Sequence, residues 1–249
     1  MSVLLITGCS GIAAATARLA ANRGASIFIA GLDERECTDL SAEIGGGFHC
    51  GDLREAAHAE RAILKCVERY GRIDGLFNVA GISGRKYGDG PVHECSEDGW
   101  NVTMASNVKS IFLVSRAALP HMMRQGGGAI LNMGSVLAFA PEPNYFATHA
   151  YAASKGAIVA LTKAMAAYYA PRNIRVNCIA PGLVRTPMSR RAQQDDEVLE
   201  FMETKQPLAR GLLEATDIAE TATFLLNDKS SRITGQVITV DGGWSVTEV

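Results

Sequence analysis

The chain has 249 residues, of which 47% are hydrophobic and 20% charged, with a formal net charge of −2. This length allows one large domain with a substantial core. The absence of a basic cluster argues against nucleic acid as a partner, because phosphate binding needs grouped Lys and Arg. No apolar run reaches the roughly 20 residues that cross a bilayer, and the first residues lack the basic start of a signal peptide. We therefore expect a cytoplasmic protein without membrane contact.

The six cysteines and five histidines are scattered through the sequence. They form no C-x-x-C, H-x-x-H or H-x-x-x-H pair, whereas zinc sites are built from closely spaced ligands of this kind. In a reducing compartment, isolated cysteines serve as small buried apolar groups. We therefore expect no metal site.

Short apolar runs alternate with Ala-rich helical stretches along the whole chain. Strands are predicted at 3–7, 26–30, 47–50, 75–78, 128–133, 175–179 and 237–240. Helices are predicted at 13–23, 55–70, 98–125, 151–170 and 214–226, the third of them broken or bent near Pro120. Strands that alternate with helices form a parallel sheet with right-handed crossovers. The pattern predicts an α/β fold in which residues 1–249 form a single domain with a Rossmann-like doubly wound parallel sheet and helices on both faces.

The first strand leads directly into a glycine-rich segment, Thr7-Gly-Cys-Ser-Gly-Ile-Ala-Ala14, which opens the first helix. Glycine lets the backbone turn sharply and approach a pyrophosphate, while the helix N-terminus presents free N–H groups and a positive dipole end. A glycine-rich turn alone is weak evidence, but its position between the first strand and the first helix favours dinucleotide binding. The expected phosphate-binding residues are Gly8, Ser10, Gly11 and Ile12.

A tyrosine and a lysine stand four positions apart in Tyr151-Ala-Ala-Ser-Lys155. On a helix, this spacing places both side chains on one face. A nearby ammonium lowers the pKa of a phenol from about 10, so that Tyr151 can act as a general acid or base near neutral pH. The alternative is a solvated Tyr and Lys on a helix surface. The strand at 128–133 runs into Ser135, and a serine at the carboxyl end of a parallel strand faces the ligand crevice.

These motifs resemble those of the short-chain dehydrogenase/reductase family, and the match runs in family order from about residue 3 to 245. The loop is one residue shorter than the family's usual T-G-x-x-x-G-x-G, and Gly8, Gly11 and Ala14 instead fit G-x-x-G-x-x-G/A. The resemblance implies four catalytic residues: Asn107, Ser135, Tyr151 and Lys155. It implies that Ser135 positions the substrate oxygen, Lys155 holds the nicotinamide ribose, and Asn107 helps to hold a proton-relay water.

The resemblance also implies the remainder of the cofactor site. In addition to the glycine-rich loop, Tyr151 and Lys155, this site comprises Asp52, Leu53, Asn78, Ala80, Gly81, Pro181, Gly182, Val184 and Thr186. After the second strand, NAD-type relatives usually carry Asp and NADP-type relatives often carry Arg, whereas this chain has Gly31 and Leu32. Asp33 either reaches the ribose or caps the next helix. Arg35 is the only nearby candidate for a 2′-phosphate, so the balance favours NAD over NADP.

The segment 136–150 is longer than is usual in the family and should border the active site. The candidate substrate contacts are Ser135, Leu137, Tyr145, Phe146, His149 and Tyr151. A surface loop with a buried aromatic anchor fits the segment equally well. Residues 188–210 read as a charged amphipathic helix of the kind used as a lid. Arg190 or Arg191 could meet an anionic substrate, but charges on a solvated helix face fit the pattern better.

The predicted function is NAD(P)-dependent hydride transfer between nicotinamide and a small-molecule secondary alcohol or ketone, as in a general alcohol, sugar or polyol dehydrogenase. The first alternative is a 3-oxoacyl-[acyl-carrier-protein] reductase, whose basic residues near the fifth strand are here replaced by Gly126-Gly-Gly-Ala129 with only Arg124 nearby. A non-catalytic nicotinamide-binding regulator is less favoured, because Tyr151 and Lys155 are both present. The resemblance further implies a homotetramer packed through the helices around 100–125 and 151–170.

Overall fold

Seven strands pair into one parallel sheet in the computed structural model, which describes residues 2–248. The strands are β1 Val3–Thr7, β2 Ser26–Gly31, β3 Gly47–Cys50, β4 Gly75–Asn78, β5 Gly128–Met133, β6 Ile174–Pro181 and β7 Val237–Val240. Their order in the sheet is β3-β2-β1-β4-β5-β6-β7. The α-helices are α1 Gly11–Asn22, α2 Glu34–Glu43, α3 Ala56–Tyr70, α4 Glu97–Met104, α5 Ser110–Gln125, α6 His149–Tyr169, α7 Asp196–Lys205 and α8 Ala215–Leu226. The predicted doubly wound α/β fold is confirmed.

The core lies in two layers, one on each face of the sheet, because successive strand residues point to opposite faces. In β1, Leu4 and Ile6 belong to the layer that includes α1 and α8, whereas Val3 and Leu5 belong to the layer that includes α3, α5 and α6. Every side chain of β1 is buried. A strand covered on both faces needs a continuous apolar run, and this explains why β1 shows no alternation of apolar and polar residues.

The long helix predicted at 98–125 is interrupted at a different place from the one expected. α4 ends at Met104, residues 105–109 form a π-helical turn, and α5 then runs through Pro120 to Gln125. Of the two alternatives expected near Pro120, a break is therefore wrong, because α5 is continuous there. A proline removes one backbone donor, and α5 tolerates that loss because much of its length is buried against the sheet layer. The π-turn contains Asn107, whose side chain bonds outside the helix.

Two helices begin at aspartates that cap them. Asp33 accepts a hydrogen bond from Glu36 N at 2.9 Å at the start of α2, a helix that the sequence pattern did not delimit. Asp195 accepts from Val198 N at 3.3 Å at the start of α7. α7 is the only α-helix within 188–210, so the predicted lid is a shorter helix preceded by 3₁₀ turns. In both cases the carboxylate satisfies an N–H that has no partner inside the helix.

The strand order places the ligand site. β2 and β3 lie on one side of β1, and β4 to β7 lie on the other. The chain segments that leave the carboxyl ends of β1 and β4 therefore diverge and leave a crevice between them. A cleft of about 450 Å³ opens there, lined by the segments that follow β1, β4, β5 and β6.

The sheet encloses a polar network that generates a stability prediction. Asn132 accepts a hydrogen bond from Asn78 Nδ2 at 2.9 Å and donates one to Thr162 Oγ1 at 3.0 Å, and it has no exposed surface. We expect Asn132→Ala to lower the free energy of unfolding by about 2–4 kcal/mol, because it leaves the buried side chains of Asn78 and Thr162 without this hydrogen-bond partner. Urea unfolding followed by circular dichroism measures this loss. Asn101→Ala, at an exposed position of α4, is the control; equal stability of the two variants would contradict the prediction.

Candidate active site

The glycine-rich segment after β1 has the backbone that close approach to a phosphate requires. Gly8 (φ 94°) and Gly11 (φ 53°) lie in the left-handed region, which favours glycine. A Cβ on Gly11 would approach Thr186 Cγ2 to 3.0 Å, so the loop also packs tightly against the segment after β6. Ser10 precedes α1 without capping it through its side chain. The first-turn N–H groups of α1 therefore remain available to an anion in the cleft.

Thr7, at the end of β1, ties this loop to its neighbour. Its hydroxyl accepts hydrogen bonds from Val79 N at 2.9 Å and from Ala80 N at 3.0 Å. These bonds hold the segment after β4 against the glycine-rich loop, at the point where the strand order reverses. The sequence reasoning did not single out Thr7, although a threonine directly before the first glycine was visible in the motif.

Ser135, Tyr151 and Lys155 all line the cleft. Lys155 is almost fully buried, and its ammonium donates a hydrogen bond to Met133 O at 2.8 Å. The same nitrogen lies 5.3 Å from the centre of the Tyr151 ring. Tyr151 and Lys155 lie on α6 and Ser135 follows β5, so the group depends on how this helix packs against this strand. A hydroxyl, a phenol and an ammonium on one wall can bind an oxygen and move a proton to or from it.

The pKa values of the two titrating groups are set by burial. Desolvation raises the pKa of the Tyr151 phenol to about 12, although a hydrogen bond with Ser135 lowers it in part. Desolvation lowers the pKa of Lys155 from about 10.5 to about 8. The expectation that the ammonium lowers the phenol pKa is therefore not met in the free protein. The physical reason is that a charge on either group is costly in a low-dielectric interior.

Asn107 lies behind the cleft, and its side chain is fully engaged. Its Oδ1 accepts from Ile82 N at 2.8 Å, and its Nδ2 donates to Ile82 O and to Ser154 Oγ, both at 3.0 Å. A Cβ on Gly81 would come within 2.7 Å of Asn107 Oδ1, so this contact requires the glycine. Asn107 thus joins the segment after β4 to α6 beside Lys155. It does not line the cleft itself.

A buried aspartate anchors the start of the catalytic helix. Asp89 accepts hydrogen bonds from Ala150 N at 2.9 Å and from Tyr151 N at 2.8 Å. It therefore satisfies two N–H groups in the first turn of α6, and its negative charge faces the positive end of the helix dipole. No local signal in the sequence marks it, because the two partners are 62 positions apart.

The end of the cleft near β2 is arranged differently from the family pattern. The sulfurs of Cys9 and Cys37 lie 2.9 Å apart. A Cβ on Gly31 would collide with Cys9 Sγ and would come within 2.9 Å of Cys37 Sγ. The thiols thus occupy the space that a side chain at Gly31 would need. Leu32, the next residue, is 69% exposed and carries no charge.

The structure brings most of the predicted site residues to the cleft. Those that line it are Gly8, Ser10, Gly11, Ile12, Ala80, Gly81, Ser135, Leu137, Tyr151, Lys155, Pro181, Gly182, Val184 and Thr186. The cleft is also lined by residues that the reasoning from sequence did not assign to the cofactor or the substrate, among them Cys9, Arg85, Lys86, Thr148 and Trp244. Trp244 follows the Asp-Gly-Gly turn near the C-terminus, and this aromatic residue was a signal that could have been used.

Four predicted cofactor residues point elsewhere. Asn78 Nδ2 bonds to Asn132 and Ser115 inside the sheet layer. Asp52 forms a salt bridge with Arg54 at 2.6 Å, and this partner lowers the pKa of the carboxyl. Leu53 packs in the core and Asp33 caps α2. Each of these side chains contacts protein groups next to it in space, and the order of the family motifs along the sequence does not reveal such contacts.

Two predicted substrate residues also lie outside the cleft lining. The Tyr145 ring packs on Phe201 with ring centres 5.1 Å apart. His149 is exposed, and its Nδ1 accepts a hydrogen bond from Val92 N at 3.0 Å. The neighbouring Phe146 does line the cleft and packs against Trp244. The segment therefore contributes one of its three aromatic candidates to the site and uses the others to hold itself in place.

The residues present fit a nicotinamide dinucleotide. The uncapped start of α1 and the two positive-φ glycines suit a pyrophosphate. The buried ammonium of Lys155 lies at the other end of the cleft, where hydroxyl groups of a ribose would find a donor. Within residues 2–248, no group of three or more His, Cys, Asp and Glu side chains could hold a metal ion, and no helix is long and apolar enough to cross a membrane.

Known proteins are similar to this chain over nearly its whole length. A profile of the family described as enoyl-(acyl carrier protein) reductase matches residues 7–245. The chain is 37% identical over 250 residues to the 2,5-dichloro-2,5-cyclohexadiene-1,4-diol dehydrogenase LinX of Sphingobium indicum, an alignment that covers 98% of this chain and 96% of LinX. A solved structure of a short-chain type dehydrogenase/reductase from Mycobacterium ulcerans superposes with a TM-score of 0.90 at 31% identity, covering 99% of this chain and 90% of that one. The chain belongs to the short-chain dehydrogenase/reductase family.

The predicted family and its class, a nicotinamide-dependent oxidoreductase, are thereby confirmed. The fold is also that of a 3-ketoacyl-(acyl-carrier-protein) reductase from Brucella melitensis complexed with NADH, with a TM-score of 0.90 and 29% identity over 98% of each chain. The cofactor of this short-chain dehydrogenase/reductase is accordingly NAD or NADP.

The buried lysine leads to a prediction about stability and pH. The pKa of Lys155 is lower in the folded chain than in the unfolded chain, so the unfolded state binds more protons between about pH 8 and 10.5. Burial of the charge therefore destabilises the fold below about pH 8, and the penalty disappears as the pH rises towards 10.5. We expect Lys155→Met to raise the free energy of unfolding of the cofactor-free protein at pH 7 by up to about 3 kcal/mol, and to raise it less at pH 10.

Denaturant titrations at the two pH values measure this difference. Lys163→Met, at an exposed position of the same helix, serves as the control and should show no such dependence. A Lys155→Met protein that is less stable than the wild type at pH 7 would show that the bond to Met133 outweighs the cost of burying the charge.

Proposed function

We propose that this chain interconverts a secondary alcohol and the corresponding ketone with NAD as its cofactor, and that Tyr151 transfers the proton. The observation that carries the proposal is the convergence of Tyr151, Ser135 and Lys155 on one wall of the cleft. In this proposal the assigned cofactor residues that line the cleft hold the cofactor, and the single domain supplies the whole site.

The roles follow from the chemistry of the side chains. When bound, the nicotinamide accepts or supplies the hydride at the reacting carbon. Ser135 donates a hydrogen bond to the substrate oxygen and stabilises charge that develops on it. The phenol pKa of about 12 keeps Tyr151 protonated in the free chain, so that it can protonate the oxygen when a ketone is reduced. Lys155, 5.3 Å from the ring centre, stabilises the phenolate that results.

Asn107 contributes by position. Its side chain already bonds to Ile82 and Ser154. We therefore propose that Asn107 fixes the position of the backbone past which the proton leaves Lys155. The relay water that the family resemblance implies would then bond to backbone groups of this region.

The preference for NAD rests on charge at the end of β2. Arg35 is 92% exposed in its side chain and pairs with Asp39 at 3.7 Å, so it is directed along α2. Leu32 is neutral, and the space below Gly31 is filled by the thiols of Cys9 and Cys37. A 2′-phosphate would therefore find no positively charged side chain positioned to bind it there. The free-energy cost of removing water from the phosphate would not be offset by an ion pair.

A small cyclic or aliphatic alcohol suits the substrate end of the cleft. Its wall is apolar, and LinX, whose name describes a cyclic diol dehydrogenase, is among the relatives that match along the whole chain. Leu137, Phe146, Met188 and Trp244 form this wall.

The second candidate function is reduction of a 3-oxoacyl thioester, which the similarity to the Brucella melitensis reductase favours.

We further propose a cytoplasmic homotetramer. Trp100, Phe112 and Tyr168 are 41%, 47% and 74% exposed, and they lie on α4, α5 and α6. These are the helices through which the family resemblance implies packing between subunits. Exposed aromatic residues on them provide apolar area that association would bury.

The first test of the reaction is the change in nicotinamide absorbance with a panel of secondary alcohols, sugars, polyols and an acetoacetyl thioester. For the substrate that turns over, we expect Tyr151→Phe to lower kcat by at least about 100-fold, because general acid–base catalysis contributes that much. NADH binding, measured by fluorescence, should change little. Tyr168→Phe, 74% exposed on the same helix, is the control and should retain full activity. Full activity of Tyr151→Phe would refute the assignment.

The cofactor preference has its own test. We expect wild type to use NAD with a higher kcat/KM than NADP, and Leu32→Arg to raise kcat/KM with NADP by about tenfold, since a guanidinium binds a phosphate with two hydrogen bonds. The matched control is Leu208→Arg, which places the same charge at a position that is 87% exposed and remote from β2. A wild type that prefers NADP would overturn the proposal of NAD.

A further inference from the structure

Three segments around the substrate end of the cleft meet at one carbonyl oxygen. Arg85, in the segment after β4, donates a hydrogen bond from Nη2 to Tyr145 O at 2.9 Å. Arg191, in the segment after β6, donates from its own Nη2 to the same oxygen at 3.0 Å. Tyr145 lies between β5 and α6. Two guanidinium groups from distant parts of the sequence are thus held side by side at the mouth of the cleft.

The carbonyl that holds them is itself fixed from below. Glu142 is 5% exposed, and its carboxylate accepts hydrogen bonds from Asn144 N at 3.0 Å and from Tyr145 N at 2.7 Å. The Tyr145 ring packs on Phe201. The position of the two arginines is therefore set by packed and hydrogen-bonded neighbours, although both guanidinium groups remain in reach of solvent.

The positive charge at this end is not balanced by the residues that line the cleft. The cationic lining residues are Arg85, Lys86, Lys155 and Arg191, and no Asp or Glu of the described chain lines the cleft. Arg85 forms no salt bridge with any residue of 2–248. Burial lowers the pKa of Arg85, and so does the neighbouring charge of Arg191, whereas the charge of Asp89 acts in the opposite direction.

The carboxylates nearby are committed to other groups. Asp89 accepts from the first-turn N–H groups of α6, and Glu142 accepts from the two N–H groups already described. Asp195 caps α7 and also forms a salt bridge with Arg191, with 3.5 Å between Oδ2 and Nη1, while Nη2 of Arg191 is the atom that bonds to Tyr145 O. One carbonyl oxygen cannot use the five donors that each guanidinium offers. Several N–H groups therefore remain free for an anion.

We propose that Arg85 and Arg191 form an anion subsite, and that the substrate is a secondary alcohol or ketone whose apolar body carries a carboxylate, phosphate or sulfonate. This inference rests on the proposed function and narrows its substrate class. The apolar wall of Leu137, Phe146, Met188 and Trp244 takes the body of the substrate, while Ser135 and Tyr151 take the reacting oxygen. The planar forks of two arginines match the oxygens of such a group.

The test compares acids with their uncharged counterparts at several spacings. The probes are 3-hydroxybutanoate, 4-hydroxypentanoate and 5-hydroxyhexanoate, each beside its methyl ester, with the phosphate and sulfonate of the best chain length as further arms. In wild type we expect kcat/KM for the best acid to exceed that for its ester at least tenfold, and this ratio to fall as salt is added. The further arms show which of the three anionic groups is preferred.

The variants separate charge recognition from support of the loop. The double variant Arg85→Gln with Arg191→Gln should bring the acid-to-ester ratio close to one while changing kcat/KM for the ester less than threefold. Arg191→Lys should retain part of the preference. Arg190→Gln is the matched control, since Arg190 is exposed and does not line the cleft, and it should leave the ratio unchanged. If the double variant lowers kcat/KM for acid and ester equally, the arginines only hold the loop and the proposal is overturned.

A binding measurement covers the case in which no probe turns over. The ketones 3-oxobutanoate, 4-oxopentanoate and 5-oxohexanoate and their methyl esters are titrated calorimetrically into the NAD-loaded protein, where hydride transfer cannot occur. Tighter binding of an acid than of its ester, lost in the double variant, supports the subsite even if the proposed reaction fails. Turnover of the esters without any preference for an anionic group in either assay supports the proposed reaction and overturns the subsite.

Discussion

The geometry of this site depends on an ammonium group held inside the protein. Lys155 has 3% of its surface exposed, and its Nζ donates to Met133 O at 2.8 Å. That bond joins the last residue of β5 to the second turn of α6. It therefore sets where Ser135, two positions beyond Met133, stands relative to Tyr151, one helical turn before Lys155. A buried charge is costly unless it is paired, and the lowered pKa of Lys155 records that cost in the absence of a cofactor. Burial of the Lys155 ammonium thus lowers the stability of the fold at the position where the proposed reaction needs a positive charge.

The catalytic helix is held by two further buried polar contacts, and they act at different points along it. Asp89 bonds to the N–H groups of Ala150 and Tyr151, and Asn107 bonds to Ser154. Both residues come from the part of the chain between β4 and β5, so this segment fixes α6 at two points. The π-turn at 105–109 belongs to the same segment and contains Asn107. Buried hydrogen bonds of this kind are costly to break, and they restrict the helix to one position.

The two ends of the cleft differ in charge in a way that bears on selectivity. At the end of β2, Leu32 is exposed and uncharged, and the thiols of Cys9 and Cys37 fill the space beside Gly31. At the substrate end, Arg85 and Arg191 stand together without a carboxylate on the cleft wall. Electrostatic complementarity is worth most where water is partly excluded. This difference in charge is the basis on which we propose NAD as the cofactor and an anionic group on the substrate.

The sequence by itself predicted the order of the seven strands and of the helices between them except α2, because each predicted element is specified by its own local pattern. The apolar run of β1 predicts a strand buried on both faces, and the spacing of Tyr151 and Lys155 places both on one face of a helix whatever surrounds them. The glycines at 8 and 11 are a local requirement of the backbone in the same way. The family resemblance, built on these motifs, then supplied Asn107 and Ser135.

Only the tertiary structure decided which side chains share the cleft. Asp33, Asp52 and Asn78 stand in the right order along the chain, yet they bond to Glu36 N, Arg54 and Asn132 rather than facing the cleft. Asp89 and Arg85 carry no local signal, since their partners lie about 60 positions away. The direction of the Tyr151 pKa was likewise set by burial, which depends on packing. A local pattern specifies the backbone and the face of its own element, whereas burial, charge and hydrogen-bond partners arise only where elements distant in sequence meet.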